Sequence, residues 1–175
     1  MTFTRVRALI FIAVLFVTAG VVVLTAINKD TQVLPPADRC APGDIRANIS
    51  VPDDRHQVTI NVYNGTSRVG LAEQIGGEFR NRGFNVIKME TAPDGQPYDG
   101  VAVITFGPDA LGASWLVSAY FLADEAEMNF DRERTGMEVD VTLGGKFQQL
   151  ATSTEVNQSI AQKGSPELYP GTCAA

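Results

Sequence analysis

Four groups of residues in this 175-residue sequence are of types that do chemistry. His56 is the sole histidine, and as a general base it would need a nucleophile and an orienting acid that the sequence around it does not nominate. No cysteine lies at helical spacing from it, and it reads as a surface residue and not a metal ligand. Asp124, Glu125, Glu127, Asp131 and Glu133 make an acidic segment. It is interrupted by Ala126, Met128 and Phe130 and lacks the spacing of a calcium loop, so a solvated face is expected. Carboxylate-dependent chemistry is the alternative, because such pairs are assembled in space. Asn64-Gly65-Thr66-Ser67, placed before a helix, could offer backbone N–H groups to an anion, or could be a turn and an N-cap. Cys40 and Cys173 stand too far apart for a redox CxxC motif or a zinc knuckle. No metal, cofactor or catalytic residue is nominated.

These groups must be placed relative to one long apolar run. Residues 8–27 are uncharged, preceded by Arg5 and Arg7 and followed by Lys29 and Asp30. Twenty residues at helical rise span about 30 Å, the thickness of a bilayer's hydrocarbon core. The arginines keep residues 1–7 cytoplasmic and send the rest across. The expectation is a single-pass membrane anchor with an extracytoplasmic domain. A cleaved signal peptide is the rival, with Val17-Thr18-Ala19 as its weak site. Residues 1–30 carry a net charge of +2, which leaves −8 on residues 31–175. An acidic outer domain does not neutralise a nucleic-acid backbone, so no nucleic-acid partner is expected. Export also puts both cysteines where disulfides persist. A Cys40–Cys173 bridge is expected, with two free thiols as the alternative.

Residues 28–55 hold Pro35-Pro36, Ala41-Pro42-Gly43 and Val51-Pro52 without sustained periodicity, and read as a stalk. Folded structure is expected over 56–150. Val58, Ile60 and Val62 alternate with polar residues as one strand face, and Asn64-Gly65 ends it. Leu71, Ile75 and Phe79 recur at helical spacing, with Thr66 or Ser67 as cap and Gly83 as stop. Phe84 to Met89 and Val101 to Phe106 read as strands. A helix follows Gly107-Pro108, with Leu111, Trp115, Ala119 and Leu122 as its buried stripe. Its further apolar residues make Trp115, Leu116, Tyr120 and Phe121 a candidate apolar pocket or interface, against core packing as the alternative. Met137 to Leu143 alternates as the last strand, Lys146 to Leu150 suggests a short helical turn, and residues 151–175 read as a polar tail held by the disulfide. The order strand, helix, strand, strand, helix, strand gives an α/β fold: a two-layer βαββαβ sandwich with helices on one sheet face, behind the single transmembrane helix.

The run Val58 to Thr66, then Gly70-Leu71-Ala72, then Arg82-Gly83-Phe84-Asn85-Val86 resembles the LytR C-terminal domain. Val139 to Gly144, followed by Phe147, is similar to that family's final strand. The resemblance covers about residues 56–150 and lies in glycines and apolar positions, so it implies architecture before activity. In many members the domain follows a phosphotransferase domain that attaches polymers to the cell wall, and this chain looks like a stand-alone form. A non-catalytic role in cell envelope integrity and its permeability barrier is implied. The partners to expect are cell-wall polymer, a lipid intermediate or an envelope-assembly protein. A carboxylate-dependent enzyme on cell-wall glycan or lipid-linked phosphate is the alternative.

Overall fold

The computed structural model describes residues 16–20, 40–93, 95–122 and 126–175. Residues 16–20 are helical. The rest of the expected span 8–27, and residues 28–39 of the expected stalk, lie outside the described residues. Among the described residues no helix is long and apolar enough to cross a membrane. Residues 1–39 and 40–175 are separate units, the second of which carries the sheets.

That unit runs β1 (Ile45–Ala47), β2 (Thr59–Asn64), α1 (Leu71–Asn81), β3 (Asn85–Thr91), β4 (Ala102–Phe106), α2 (Leu111–Ser118), β5 (Ala126–Phe130), β6 (Glu138–Leu143), α3 (Ser153–Lys163) and β7 (Thr172–Ala174). Five strands form the main sheet in the order β3-β2-β6-β4-β5. All neighbours are parallel except β4 and β6, which are antiparallel. The alternation that marks β2 and β6 as strands fixes their faces. Ile60, Val62, Val139, Val141 and Leu143 are fully buried with Ala102, Ile104 and Phe106, while Thr59, Glu138, Asp140 and Thr142 point to the other side.

Helix α1 buries Leu71, Ala72, Ile75, Gly76 and Phe79 on one stripe. It stops as the sequence requires. Gly83 takes φ +94°, its N–H donates to Arg80 O, and the Phe84 N–H donates to Phe79 O. This is a Schellman motif, and the Phe84 ring meets Phe79 edge-on at 5.4 Å as the accompanying apolar contact. Its start differs from expectation. Gly70, at φ +77°, is the N-cap and supplies no side-chain bond, because the Thr66 hydroxyl is engaged earlier in the turn.

Three further elements depart from the sequence reading, and the β3 strand carries an irregularity. Residues 126–130 form a strand instead of a solvated loop. Ala126, Met128 and Phe130 turn inward between exposed Glu127 and Asn129, so charge on the outer face hid a period of two. Residues 153–163 form a helix whose capping box joins Thr152 and Glu155. It buries only Val156 and part of Ile160, too narrow a stripe to stand out in a polar tail. Residues 146–150 turn without forming a helix. In β3 a register shift opposite Ile60 and Asn61 leaves Ile87 nearly half exposed, while Val86 is buried.

The expected stalk is folded from Cys40 onward. β1 pairs with β7 in parallel, and a disulfide joins Cys40 to Cys173 with their Cα atoms 5.4 Å apart. Residues 47–50 lie along the start of α2. The Asn48 N–H donates to Pro108 O, the Gly112 N–H donates to Asn48 O, and Ala47 is fully buried. This covering explains why α2 is buried nearly all round, with Leu116 and Val117 as deep as Leu111. Trp115 and Leu122, expected in the buried stripe, are only partly covered.

The disulfide spans 133 positions, and a loop of that length loses about 5 kcal/mol of unfolded-chain entropy on the chain-entropy argument. Cys173→Ser is expected to lower the unfolding free energy by up to that amount in a urea melt of the oxidised protein, with no effect of added reductant on the variant.

Candidate functional site

The turn after β2 is built around its own side chains. Asn64 Oδ1 accepts the Thr66 N–H at 3.0 Å and the Thr66 hydroxyl at 2.7 Å, and Asn64 Nδ2 donates to Arg68 O at 2.6 Å. Thr66 Oγ1 accepts the Arg68 N–H at 3.0 Å. The Gly65 N–H donates to Leu143 O, and Gly65 O accepts the Tyr98 N–H, both at 2.9 Å. The N–H groups of Gly65, Thr66 and Arg68 are therefore engaged within the protein. Asn64 to Ser67 border a recess of about 230 Å³ with Thr91, Ala92 and residues 95–97, and Ser67 is exposed at its rim. Gly65 is not in the left-handed region. Glycine is required there by close approach, since an added Cβ would lie 2.9 Å from Leu143 O.

The four apolar residues of the second helical segment do not converge. Trp115, half-buried, lines a groove of about 560 Å³ with Phe106, Leu111, Met128, Leu168 and Tyr169. Leu116 is buried and borders a different recess, near Arg55 and Arg82. Tyr120 is buried against Phe84 at 5.0 Å and Phe79 at 5.8 Å, with Arg55 and Arg82 over its ring at 6.0 and 5.5 Å. Burial pushes the Tyr120 hydroxyl above its ordinary pKa, and the two guanidiniums pull the other way. Phe121 is buried between Phe79 and Phe147.

His56 is exposed, with Nδ1 2.9 Å from Asp54 Oδ1. The His56 N–H, followed by its ring, holds the Asp54 carboxyl below its usual range. Of the acidic segment, Asp124 and Glu125 lie outside the described residues. Glu127 accepts the Tyr98 hydroxyl at 3.1 Å, and Asp131 accepts the Glu133 N–H. Among the described residues no three His, Cys, Asp or Glu side chains are grouped to hold a metal ion.

The polar constellation that sequence reasoning missed lies on the sheet face opposite Ile60, Val62, Val139 and Val141. Asn61, 1% exposed, donates from Nδ2 to Glu138 Oε2 at 2.9 Å and to Asp140 Oδ1 at 2.7 Å. Asp140 Oδ2 accepts from Arg134 Nη1 at 2.8 Å. That bond raises the Arg134 pKa against the opposing effect of burial. Tyr63, next on the same face, is raised first by burial and then by Asp140 and Glu90. Asn61 Oδ1 is buried without a partner. The signal in the sequence was a polar residue midway along an apolar strand, which alternation alone assigns to the solvent side.

Two substitutions test this geometry. Gly65→Ala is expected to lower the unfolding free energy by about 1–3 kcal/mol, because the backbone of β6 must give way. Asn61→Asp places a third carboxylate between Glu138 and Asp140. Its folded-state pKa would be raised, so the penalty, about 2–4 kcal/mol, is present at pH 7 and vanishes below the unfolded pKa near 4. Urea melts at pH 7 and pH 3.5 check the sign.

Comparisons with known proteins place the chain. No curated protein matches it. The soluble domain (residues 71–217) of a conserved hypothetical secreted protein from Mycobacterium marinum, the Rv2700 ortholog, is similar in fold. Its TM-score is 0.53 at 21% identity, covering 67% of this chain and 82% of that one. A family profile described as LytR cell envelope-related transcriptional attenuator matches residues 57–147. That match runs from the turn before β2 to the exit of β6, and with it the chain belongs to the LytR C-terminal domain family.

Proposed function

We propose that this chain is a non-catalytic, membrane-anchored extracytoplasmic module that supports cell envelope integrity and the permeability barrier by binding an envelope ligand or partner protein. The observation that carries this reading is the match to a cell envelope-related family across the whole central sheet apart from its flanking additions. The uncharged run 8–27 behind two arginines supports a single-pass anchor with a cytoplasmic N-terminus. The Cys40–Cys173 disulfide supports an oxidising compartment for the domain. The arginine-led start, the apolar run and the flanking cysteine pair also resemble the actinobacterial cell envelope integrity protein Cei. The ligand classes that suit this role are wall polymers, lipid intermediates and envelope-assembly proteins.

The carboxylate-enzyme alternative draws no support from the described residues. Glu127 is exposed on β5 and occupied by Tyr98, and Asp140 is neutralised by Arg134.

Removal of the chain from its host is expected to increase uptake of a membrane-impermeant dye. The full chain should sediment with membranes and restore the barrier, while an exported version lacking residues 1–30 should not. Unchanged dye uptake in the deletion, or a full chain found in the cytosol, overturns the reading.

A further inference from the structure

We propose that the Cys40–Cys173 disulfide is a redox-operated latch. Its reduction by a dithiol oxidoreductase parts β1 from β7 and lifts residues 45–50 off the start of α2, while the main sheet stays folded. β1 and β7 stand apart from the five-stranded sheet as a two-stranded sheet of their own, paired in parallel at Ile45–Thr172, Arg46–Cys173 and Ala47–Ala174. Each is three residues long, and an isolated pair of strands is marginal even with a tight turn to join it. This pair has no such turn, because parallel strands are connected only through a long crossover, here the rest of the domain. The disulfide does the joining, with Cys173 inside β7 and Cys40 shortly before β1.

The strap has other attachments along its length. The Ile45 N–H donates to Gly171 O at 3.0 Å and the Ala175 N–H donates to Ala47 O at 2.9 Å, both between the two joined ends. The Asn48 N–H to Pro108 O and the Gly112 N–H to Asn48 O, each at 2.9 Å, fasten it to the entry of α2. Arg132 Nη2 donates to Gly43 O at 2.6 Å at an exposed position. Ala47 is fully buried, and Ile49 and Val51 are partly buried against the core. Tyr169, stacked on Phe130 at 4.7 Å, holds the segment before β7 without help from the bridge, so the arm that moves is the N-terminal one. What it leaves behind is complete. All five main strands, α1 and α2 fall within the span 57–147 that the family profile matches, and the strap is an addition to that unit.

Neither cysteine is enclosed, and both are half-buried. Exposed bridges are the reducible ones, whereas deeply placed structural ones resist. A thiolate of the dithiol attacks one sulfur of the bridge, forming a mixed disulfide and releasing the other cysteine as a thiolate. The second thiol of the reductant then attacks the mixed disulfide. Two electrons and two protons pass to the protein, which gains two thiols, and the reductant departs as its own disulfide. In an oxidising compartment the latch rests closed, and arrival of the dithiol is the signal that opens it.

Amide hydrogen exchange of the full-length protein, resolved to single residues, tests this with dithiothreitol as the dithiol. On reduction the amides of Ile45, Asn48, Gly112 and Ala175 should exchange about tenfold faster or more, while those of Gly65 and Phe84, bonded within the main unit, keep their protection. Reoxidation with oxidised glutathione should restore all four. Cys40→Ser combined with Cys173→Ser should show the open pattern without any dithiol. Gly112→Ala opens the strap by a second route, because the added Cβ would collide with Ser50 O. With the bridge intact, that variant should speed exchange at Asn48 and leave Ile45 and Ala175 protected. A bridge that resists dithiothreitol under native conditions overturns the proposal, as does a reduced protein in which the four amides keep their rates. Loss of protection at Gly65 and Phe84 along with the four also overturns it, because the bridge is then a staple of the whole fold.

Discussion

The sheet is assembled around a strand that arrives late. β6 lies between β2 and β4, and its registry with β2 pairs Thr59 with Glu138 and Asn64 with Leu143, positions nearly eighty apart in the chain. Without β6 the main sheet falls into two pairs, β3 with β2 and β4 with β5. Until it docks, Ile60 and Val62 on one side and Ile104 on the other have no shared layer to pack into. The buried amide of Asn61 has no acceptors, and the turn at Gly65 has no Leu143 carbonyl to receive its N–H. Loop closure of that length must precede the contacts that reward it, so the central seam of the domain cannot be built from local contacts alone.

The same seam separates two kinds of surface. On the side of the helices, Phe79, Phe84, Tyr120, Phe121 and Phe147 make a run of ring contacts that ties α1 to the segment after α2. On the other side, carboxylates, an amide and a guanidinium are bonded to one another across strands. Apolar burial supplies stability on the first face. On the second, the polar pairs select registry, since a slip by one residue would bury Asp140 and expose Val141. The unpartnered Oδ1 of Asn61 marks the place where that polar layer is least satisfied.

Much of this was legible in the sequence where a period was uninterrupted. The alternation of β2 and β6, the stripe of α1 and the stop at Gly83 are all found as read. The misread elements share one cause, a pattern diluted by residues of opposite character. Glu127 and Asn129 disguised β5, the single buried Val156 disguised α3, and Pro42 and Pro52 disguised the segment that covers α2. The capping box at Thr152 and Glu155 was a local sign of α3 that polarity overruled. The candidate site residues were harder to place, because burial depends on what folds over them. Trp115 and Leu116 are adjacent in sequence yet open onto different recesses, and residues from 165–170 line only the one that Trp115 borders.

The bond between Cys40 and Cys173 closes residues 40–173 into a covalent ring. A protease cutting an exposed stretch such as residues 131–137 opens the ring but releases no fragment, because both pieces remain joined through the disulfide. Whatever holds residue 40 also holds residue 173, so a severed β6 stays within reach of β2 and can pair again. Such a ring tolerates a first break that would dismantle an open chain.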